Sequence, residues 1–449
     1  MTLVPLLLAS LSFAEAPVPL SLEDALRRAQ EASEDVDAAE ASVDRARGSS
    51  MSAVSGLLPQ VSASTSYQHT FVSEYDALFE GTDPGTPSPF SSLPFGQDDI
   101  WRVDFALTQA LWSGGRNRAS MRMADAAREA ATLSVDAARA STALATAQAY
   151  YDAALADRLV DIAATALAQA ETTRAHAKLA HELGRQPEFE LVRAEVEAEN
   201  QRVVVLRQER IRTFARLRLA RLLDLPAEAE LALVTPLDEE PSIAETAAEV
   251  TGVRATDTDR AAVKQAAEAV RMSEAALAVT RSQGYPRLAA SANYGWVDYP
   301  DGPVPDVEPD AWRNNFTAGL GLSVPLFTGG RVRGELVSAK ADVAEANARL
   351  SQVGELAALD TADARAALET ADAQWRATAG TVAQAERAYA IAEVRFQEGI
   401  STQSELADAR LLLQRALANR AQAARDLQVS RVRLALLPAL PLSSGAPPS

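Results

Sequence analysis

The 449-residue chain contains no cysteine, and only 5% of its residues are aromatic. The absence of cysteine excludes disulfides, thiolate metal sites, cysteine nucleophiles and lipid attachment through an N-terminal cysteine. The scarcity of aromatic residues argues against a globular core built on phenylalanine and tryptophan. Hydrophobic residues still make up 47% of the chain, and alanine dominates them. This composition favours long helices that pack closely side by side.

Basic residues are outnumbered by acidic ones, 43 against 61, so the formal net charge is −18. Such a balance argues against nucleic acid as a partner, because a phosphate backbone needs a basic surface. Long hydrophobic runs are also missing, since no stretch beyond the first residues approaches the roughly 20 apolar residues of a membrane-spanning helix. If the chain crosses a membrane, we therefore expect it to do so with strands.

Residues 1–14 are predicted to be a signal peptide. An apolar run over 3–13 has the length of a hydrophobic signal segment, and Ser12-Phe13-Ala14 fits a small-x-small cleavage site. No lysine or arginine precedes the run, so a short buried N-terminal segment stays open as the alternative.

The rest of the sequence contains two copies of one unit. The segment LWSGGR at 111–116 matches LFTGGR at 326–331, and the segment from Gly184 to Glu190 matches the segment from Gly399 to Glu405. Because the landmarks keep their order, we predict a duplication rather than chance similarity of alanine-rich helices. The predicted parts are a first repeat over 15–225, an irregular connector over 226–256, a second repeat over 257–437 and a flexible tail over 438–449.

Each copy reads as helix, strand, loop, strand, long helix and return helix. In the first copy a helix runs from Ser21, its N-cap, to about residue 56. Long helices are predicted over 116–183 and 331–398, where proline is absent, and each would measure roughly 100 Å. Glycines mark the changes of direction. Gly114, Gly115, Gly329 and Gly330 form the strand-to-helix turns, and Gly184 and Gly399 form the hairpin tips.

Alternation of apolar and polar residues predicts strands over 60–72, 100–111, 287–298 and 314–326. This pattern is typical of a lipid-exposed barrel strand, although a half-buried strand of a soluble sheet shows it too. In the barrel interpretation, Val103, Phe105, Leu320 and Leu322 face lipid. The loops between paired strands are acidic and rich in proline, and aromatic residues stand at the strand–loop junctions.

Four strands cannot close a membrane barrel, because the smallest known barrels use about eight. An open strand edge in lipid would leave backbone groups unpaired at a cost of several kcal/mol each. Strands in a membrane therefore require an oligomer. Three chains would supply twelve strands, although this argument alone does not select three.

Taken together, the sequence resembles the TolC family of outer-membrane efflux proteins over essentially its whole mature length. The resemblance is carried by LSLEDAL at 20–26, LLP at 57–59, VPLFTGGR at 324–331, and FQEG at 396–399 followed by Glu405. It implies a mainly α fold with a small β part: a trimer with a 12-stranded transmembrane β-barrel and a periplasmic tunnel of long antiparallel coiled-coil helices. Ala110 is a departure, because the second copy has Pro325 there.

The resemblance also implies a function, that of a passive exit duct in a tripartite efflux pump or a type I secretion system. The implied partners are two further copies, a periplasmic adaptor, an inner-membrane RND or ABC transporter, and outer-membrane lipid. No enzyme activity, metal site or cofactor is expected, since His176 and His181 stand five apart and no phosphate-binding loop occurs. The alternative is a periplasmic coiled-coil adaptor or scaffold protein.

Acidic residues follow the predicted hairpin tips. Glu405 and Asp408 share a helix face, and Glu190 stands where Glu405 stands in the other copy. The resemblance implies that these acids ring the periplasmic entrance and that Gly184 and Gly399 lie at tips that contact the adaptor or pump. A ring of carboxylates would favour cations. The alternative interpretation is an ordinary solvated helix face.

The resemblance further implies a basic residue two positions after the second tip glycine, where it can latch the closed entrance. This sequence has Ser401 there. Any latch must therefore use other residues, with Arg185 and Arg193 as candidates.

Overall fold

A computed structural model describes residues 18–72, 98–227, 229–237, 243–252, 260–300 and 302–442. The predicted signal peptide lies outside the described residues, as do most of the first interstrand loop, parts of the predicted connector and the end of the tail.

The described residues form six strands and eight helices whose order repeats. A helix, two strands, a long helix and a return helix occur twice, as the sequence predicts. The boundaries predicted for the repeats, the connector and the tail stay a prediction. In chain order the elements are β1 (Val18–Leu20), α1 (Leu22–Glu31), α2 (Glu34–Ser55), β2 (Gln60–His69), β3 (Asp99–Trp112), α3 (Arg116–Glu182), α4 (Glu188–Leu222), β4 (Leu231–Leu233), α5 (Ile243–Thr251), α6 (Ala261–Ser282), β5 (Arg287–Asp298), β6 (Arg313–Ser323), α7 (Arg331–Gln397) and α8 (Gln403–Leu436).

The chain forms two compact units, each assembled from separate stretches. The first unit comprises Met1–Val43, Ala130–Ala266 and Leu350–Ser449 and contains the helical hairpins. The second unit comprises Asp44–Glu129 and Ala267–Arg349 and contains the sheet of β2, β3, β5 and β6.

The long helices α3 and α7 have 67 residues each, about 100 Å of helix at ~1.5 Å per residue. Both end within one residue of the predicted positions. Alanines line their buried sides, and the absence of a bulky side chain there lets neighbouring helices approach closely. Examples from α3 are Ala143, Ala147, Ala163, Ala166 and Ala170.

The first predicted helix is interrupted. Ser21 caps α1 as expected, because its hydroxyl accepts from the Asp24 N–H, but α1 ends at Glu31 and α2 begins at Glu34. Ser33 lies in the break, where its hydroxyl hydrogen-bonds the Thr142 hydroxyl of α3 at 3.0 Å. The single helix predicted from Ser21 to about residue 56 is therefore wrong at this point.

The core of the first unit lies where β1 pairs in parallel with β4. The buried Tyr150 of α3 donates its hydroxyl to the Leu20 carbonyl at 2.9 Å and accepts from the Thr235 N–H at 3.0 Å. Buried leucines and alanines of α1, α3, α4 and α8 pack around this pair of strands. The polar atoms of the strand edge are thus satisfied inside an apolar cluster.

A buried ion pair fixes α7 against the chain end. Asp360 of α7 accepts from the Arg260 guanidinium at 2.8 Å and from the Arg433 guanidinium of α8 at 3.0 Å. Arg260 also donates to the Leu440 carbonyl. These bonds set the level at which α7 and α8 run side by side.

The sheet of the second unit has the order β2-β3-β5-β6, and every pair is antiparallel. β6 ends at Ser323, before Val324-Pro325, because proline lacks the N–H that would continue the ladder. At the equivalent place β3 has Ala110 and continues through a bulge to Trp112. The missing proline therefore lengthens β3 rather than changing the topology.

Candidate functional site

One face of the four-stranded sheet is apolar along all strands. The register places Ala63, Phe105, Tyr294 and Phe316 side by side across the sheet. Phe105 is 45% exposed, Leu320 72% and Leu322 66%, so the face is uncovered in the single chain. Residues paired across antiparallel strands share a face. Residues two apart along one strand also share a face. Val103 therefore lies on the same apolar face as Phe105, and Leu320 and Leu322 lie on the same face as Phe316.

The opposite face carries small and polar side chains. Ser291 is paired with Thr108 and Gly319, while Asn293 is paired with Ala106 and Thr317. The Asn293 amide donates to the Asp104 carboxylate of β3 at 3.3 Å. Small and polar side chains can line a water-filled space, whereas exposure of the apolar face to water is unfavourable.

The two outer strands, β2 and β6, each pair with a single neighbour among the described residues. β2 has 10 residues and β6 has 11, so each leaves a long row of backbone N–H and C=O groups without a strand partner. Such edges are open templates for pairing with another chain.

Indole side chains at the strand ends hydrogen-bond the loop between β5 and β6. Trp101 donates to the Pro303 carbonyl at 3.2 Å, and Trp312 donates to the Asp306 carbonyl at 2.9 Å. The Arg313 guanidinium lies 5.6 Å from the centre of the Tyr299 ring. The aromatic residues singled out in the sequence thus gather at one end of the sheet, as an interfacial girdle requires.

The strand-to-helix turns are built the same way in both copies but are packed differently. Gly114 and Gly329 have φ values of 63° and 62°, and Gly115 and Gly330 have 88° and 85°. A Cβ on Gly114 would lie 2.7 Å from the Tyr285 Cβ, whereas a Cβ on Gly329 would meet nothing within 4 Å.

This difference gives a matched pair of variants. Gly329→Ala is expected to cost about 1–2 kcal/mol for the left-handed backbone conformation alone. Gly114→Ala adds a steric clash worth about a further 1–3 kcal/mol. Thermal unfolding of both variants checks the expectation, and an equal loss of stability would contradict the packing described for Gly114.

The hairpin tips close identically. Gly184 and Gly399 have φ values of 70° and 73°. The N–H of Arg185 bonds the Ala180 carbonyl and the N–H of Ile400 bonds the Arg395 carbonyl, both at 2.8 Å. These are the bonds of a glycine-terminated helix end, and they reverse the chain into α4 and α8.

Glu405 and Asp408 lie in the first two turns of α8, and both are exposed. Thr402 caps this helix by accepting from the Glu405 N–H at 3.4 Å. The Glu405 carboxylate lies 4.0 Å from the Arg395 guanidinium of α7, an exposed pair worth little in water. The two acids therefore present negative charge to solvent just beyond the tip.

Glu190 is placed differently from its counterpart. The side-chain amide of buried Gln403 is oriented so that its nitrogen and its oxygen both find hydrogen-bond partners. The amide nitrogen donates to the backbone carbonyl of Glu190 at 3.0 Å and to the Glu190 carboxylate at 3.3 Å. The amide oxygen accepts from the Ala194 N–H at 3.1 Å. Glu190 thus joins the packing between the two hairpins, and no contact in the described chain links it to Glu405 or Asp408.

A second buried polar residue connects the hairpins below the tip. Arg410 of α8 is 2% exposed, donates to the Thr173 hydroxyl of α3 at 3.5 Å and lies 3.9 Å from the Glu197 carboxylate of α4. Burial, with the neighbouring Glu393 carboxylate, raises the pKa of Tyr389 nearby, although Arg410 opposes the shift. Nothing in the sequence marks Gln403 or Arg410, because polar residues are frequent along the helices of this chain and neither of these two belongs to a motif.

Of the candidates for a latch, Arg193 reaches the other hairpin. Its guanidinium donates to the Ser404 hydroxyl at 2.9 Å. Arg185 is exposed at the first tip. The Ser401 hydroxyl is buried and has no hydrogen-bond partner among the described residues.

Neither a metal site nor a membrane-spanning helix occurs in the part of the chain that the structure describes. There, no group of three or more metal-ligating side chains is placed to hold an ion. No helix of this part is long and apolar enough to cross a membrane.

The family model described as outer membrane efflux protein matches residues 25–224 and 254–438. A comparison with curated proteins gave no significant match. Similar solved structures include the outer membrane protein VceC of Vibrio cholerae, with TM-score 0.75, 21% identity and coverage of 92% of this chain and 95% of VceC. The Campylobacter jejuni CmeC outer membrane channel gives TM-score 0.74, 17% identity and coverage of 94% and 87%. The Neisseria gonorrhoeae MtrE outer membrane channel gives TM-score 0.71, 21% identity and coverage of 95% and 91%.

These findings confirm the resemblance, the mainly α fold with a small β part and the predicted outer-membrane location. The match extends through both strand pairs and both hairpins, so the findings support the channel interpretation and not the adaptor or scaffold alternative. The chain belongs to the outer membrane efflux protein family, and its predicted role as an efflux channel of the outer membrane is confirmed.

Proposed function

We propose that three copies of the chain form one duct, with four strands from each copy closing a 12-stranded barrel. The observation that carries this proposal is the open sheet, whose edges β2 and β6 each lack a second neighbour within the described chain. Pairing β6 of one copy with β2 of the next satisfies both edges. Because each copy supplies an even number of antiparallel strands, the new pair is antiparallel as well.

The two faces of the sheet support the same arrangement. With the apolar face outward, Phe105, Leu320 and Leu322 contact lipid instead of water. The face that bears Ser291, Asn293 and Thr317 then lines the lumen. A polar lumen allows water and solutes to pass without chemical change, so the proposed duct is passive and no residue has a catalytic role.

In the proposed assembly the long hairpins of the three copies form a periplasmic tunnel. Symmetry would repeat Glu405 and Asp408 three times around the entrance, which would give a negative ring that favours cations. The tips at Gly184 and Gly399 would be the points of contact with a periplasmic adaptor and an inner-membrane RND or ABC transporter. Arg193 and Ser404 are the pair that we assign to holding the two hairpins of one copy together.

Reconstitution tests the proposed duct. Purified protein from the outer-membrane fraction, added to a planar lipid bilayer, is expected to produce discrete conductance steps. Recovery of the chain in the soluble periplasmic fraction, or bilayers that stay silent, would contradict it. Heat-modifiable migration of the same sample on a denaturing gel provides an independent readout of the barrel.

A further inference from the structure

The end of the sheet at which its strands join α3, α6 and α7 is basic. We call the three segments that form these joints the junction belt: residues 110–122, 281–291 and 324–335. The belt contains seven arginines against one acid, Glu335, although the whole chain has a net charge of −18. At the opposite end of the sheet, the segment 298–313 contains five acids against one arginine. The basic charge is therefore specific to one end.

Contacts between the joints make the junction belt one continuous surface. The turn at Gly114 packs directly against Tyr285, since a Cβ on that glycine would lie 2.7 Å from the Tyr285 Cβ. The Arg331 guanidinium at the start of α7 donates to the side-chain oxygen of Gln283 at 2.7 Å and pairs with Glu335 at 2.6 Å. The starts of both long helices are thus held beside the end of α6, and the one acid of the belt is neutralised within it.

Exposed arginines stand in the first turn of each long helix. Arg116 and Arg118 follow the Gly-Gly turn of the first copy by one and three residues, and Arg331 and Arg333 have the same positions in the second copy. Among the described residues, no carboxylate pairs with Arg116, Arg118 or Arg333. Neither helix has an acid in its first turn, and a basic side chain there opposes the helix dipole. Stabilisation of the helices therefore does not account for these arginines.

Bulky apolar side chains border the junction belt on the side of the sheet. Trp112 pairs with Leu288, and Leu288 pairs with Leu322, so the apolar face of the sheet continues to this end. Beyond the last strand, Leu326 is 92% exposed and Phe327 90%. Apolar and aromatic side chains next to arginines are typical of a membrane–water interface, where the rings lie at headgroup level and the guanidinium groups reach the headgroups.

We propose that the junction belt binds anionic phospholipid headgroups in the periplasmic leaflet of the membrane. This inference rests on the proposed barrel, which places the belt where the lipid-facing surface ends and the periplasmic helices begin. Trp112, Leu326 and Phe327 anchor the protein at that depth, and Arg118 and Arg333 contact the phosphates.

The occupant follows from continuity with the lipid-facing surface and from charge. An arginine guanidinium can bind a phosphate through two parallel N–H donors. The headgroup of phosphatidylglycerol has a net negative charge, whereas a zwitterionic headgroup carries an ammonium group that arginine repels. Anionic lipid is therefore favoured over zwitterionic lipid at a basic surface.

Native mass measurement of the delipidated trimer in an uncharged detergent tests this assignment. Titration with phosphatidylglycerol is expected to give lipid-bound trimers, and phosphatidylcholine at the same concentration should bind more weakly. Each arginine near an anionic surface contributes about a fivefold preference. The double variant Arg118→Gln with Arg333→Gln should therefore bind phosphatidylglycerol roughly tenfold more weakly or worse. Arg118→Lys with Arg333→Lys keeps the charge and should bind it more tightly than the glutamine variant.

The matched control is Arg158→Gln with Arg365→Gln, which changes two exposed arginines of the same helices. It makes the same change of charge roughly 50–60 Å further along α3 and α7, and its lipid binding should match that of the unaltered chain. The trimer yield and the single-channel conductance of both glutamine variants should stay unchanged, which separates loss of lipid from misfolding.

Equal phosphatidylglycerol binding by the Arg118 and Arg333 variant and by the control would overturn the inference and leave the proposed barrel intact. Displacement of the lipid by inorganic phosphate at equal concentration would also overturn it, because the belt would then recognise free phosphate rather than a headgroup in its apolar surroundings. If the unaltered chain is a monomer in detergent, both the proposed barrel and this inference are wrong.

Discussion

Replacing Phe105 or Leu320 by arginine is expected to abolish assembly of the channel. Both residues lie on the apolar face of the sheet, near the middle of their strands. An arginine at the membrane midplane costs about 2–4 kcal/mol, and threefold repetition applies that cost three times in one barrel. This loss is comparable to the whole stability margin of many proteins.

The matched controls are Ser291→Arg and Thr317→Arg, which lie on the other face of the same sheet. They face the lumen in the proposed barrel and should be tolerated. The measurement is the amount of heat-modifiable trimer recovered from the outer-membrane fraction of each variant. Equal recovery for both faces would show that the assignment of the faces is wrong.

The double variant Glu405→Ala with Asp408→Ala is expected to remove block of the channel by polyvalent cations. Both carboxylates are exposed on the first turns of α8. Three copies of each would place six acids in a confined entrance, where salt screens them only partly over a Debye length of ~8 Å. The Arg395 guanidinium, 4.0 Å from Glu405, offsets part of this charge, so Asp408 is expected to contribute more.

Planar-bilayer current in the presence of a trivalent cation measures this effect. The control Glu386→Ala removes an exposed acid of α7 and should leave the block unchanged. Glu190→Ala should also have little influence on the block, because its carboxylate is engaged by Gln403. Undiminished block in the double variant would mean that these acids are an ordinary helix surface.

Local chemistry explains why much of the fold is predictable from the sequence. Glycines at 114 and 329 need a left-handed backbone, and the absence of proline from the long helices permits 67 uninterrupted residues. The strand register follows from alternation, because a shift by one residue would move every apolar side chain to the polar face. The same glycine turns and proline-free helices occur in both copies, so each copy supports the secondary structure predicted for the other.

The features that the sequence does not predict depend on contacts between residues that are far apart in the chain. The residues around Ala32 and Ser33 are compatible with a continuous helix, but in the structure the Ser33 hydroxyl accepts from the Val36 N–H at the start of α2 and contacts Thr142 of α3. The spacing of Glu405 and Asp408 predicts a shared helix face, whereas the contact between Glu190 and Gln403 has no signal in the sequence. Likewise, the contact between Arg410 and Thr173 joins residues 237 apart in sequence, which no local pattern predicts.

The central claim is that four strands from each of three chains close one barrel. Native mass measurement of the purified protein in detergent tests it most directly. The account predicts a complex of three chains that persists over a range of concentrations, since β2 and β6 each lack a second strand neighbour among the described residues of one chain. A stable monomer under the same conditions would contradict it.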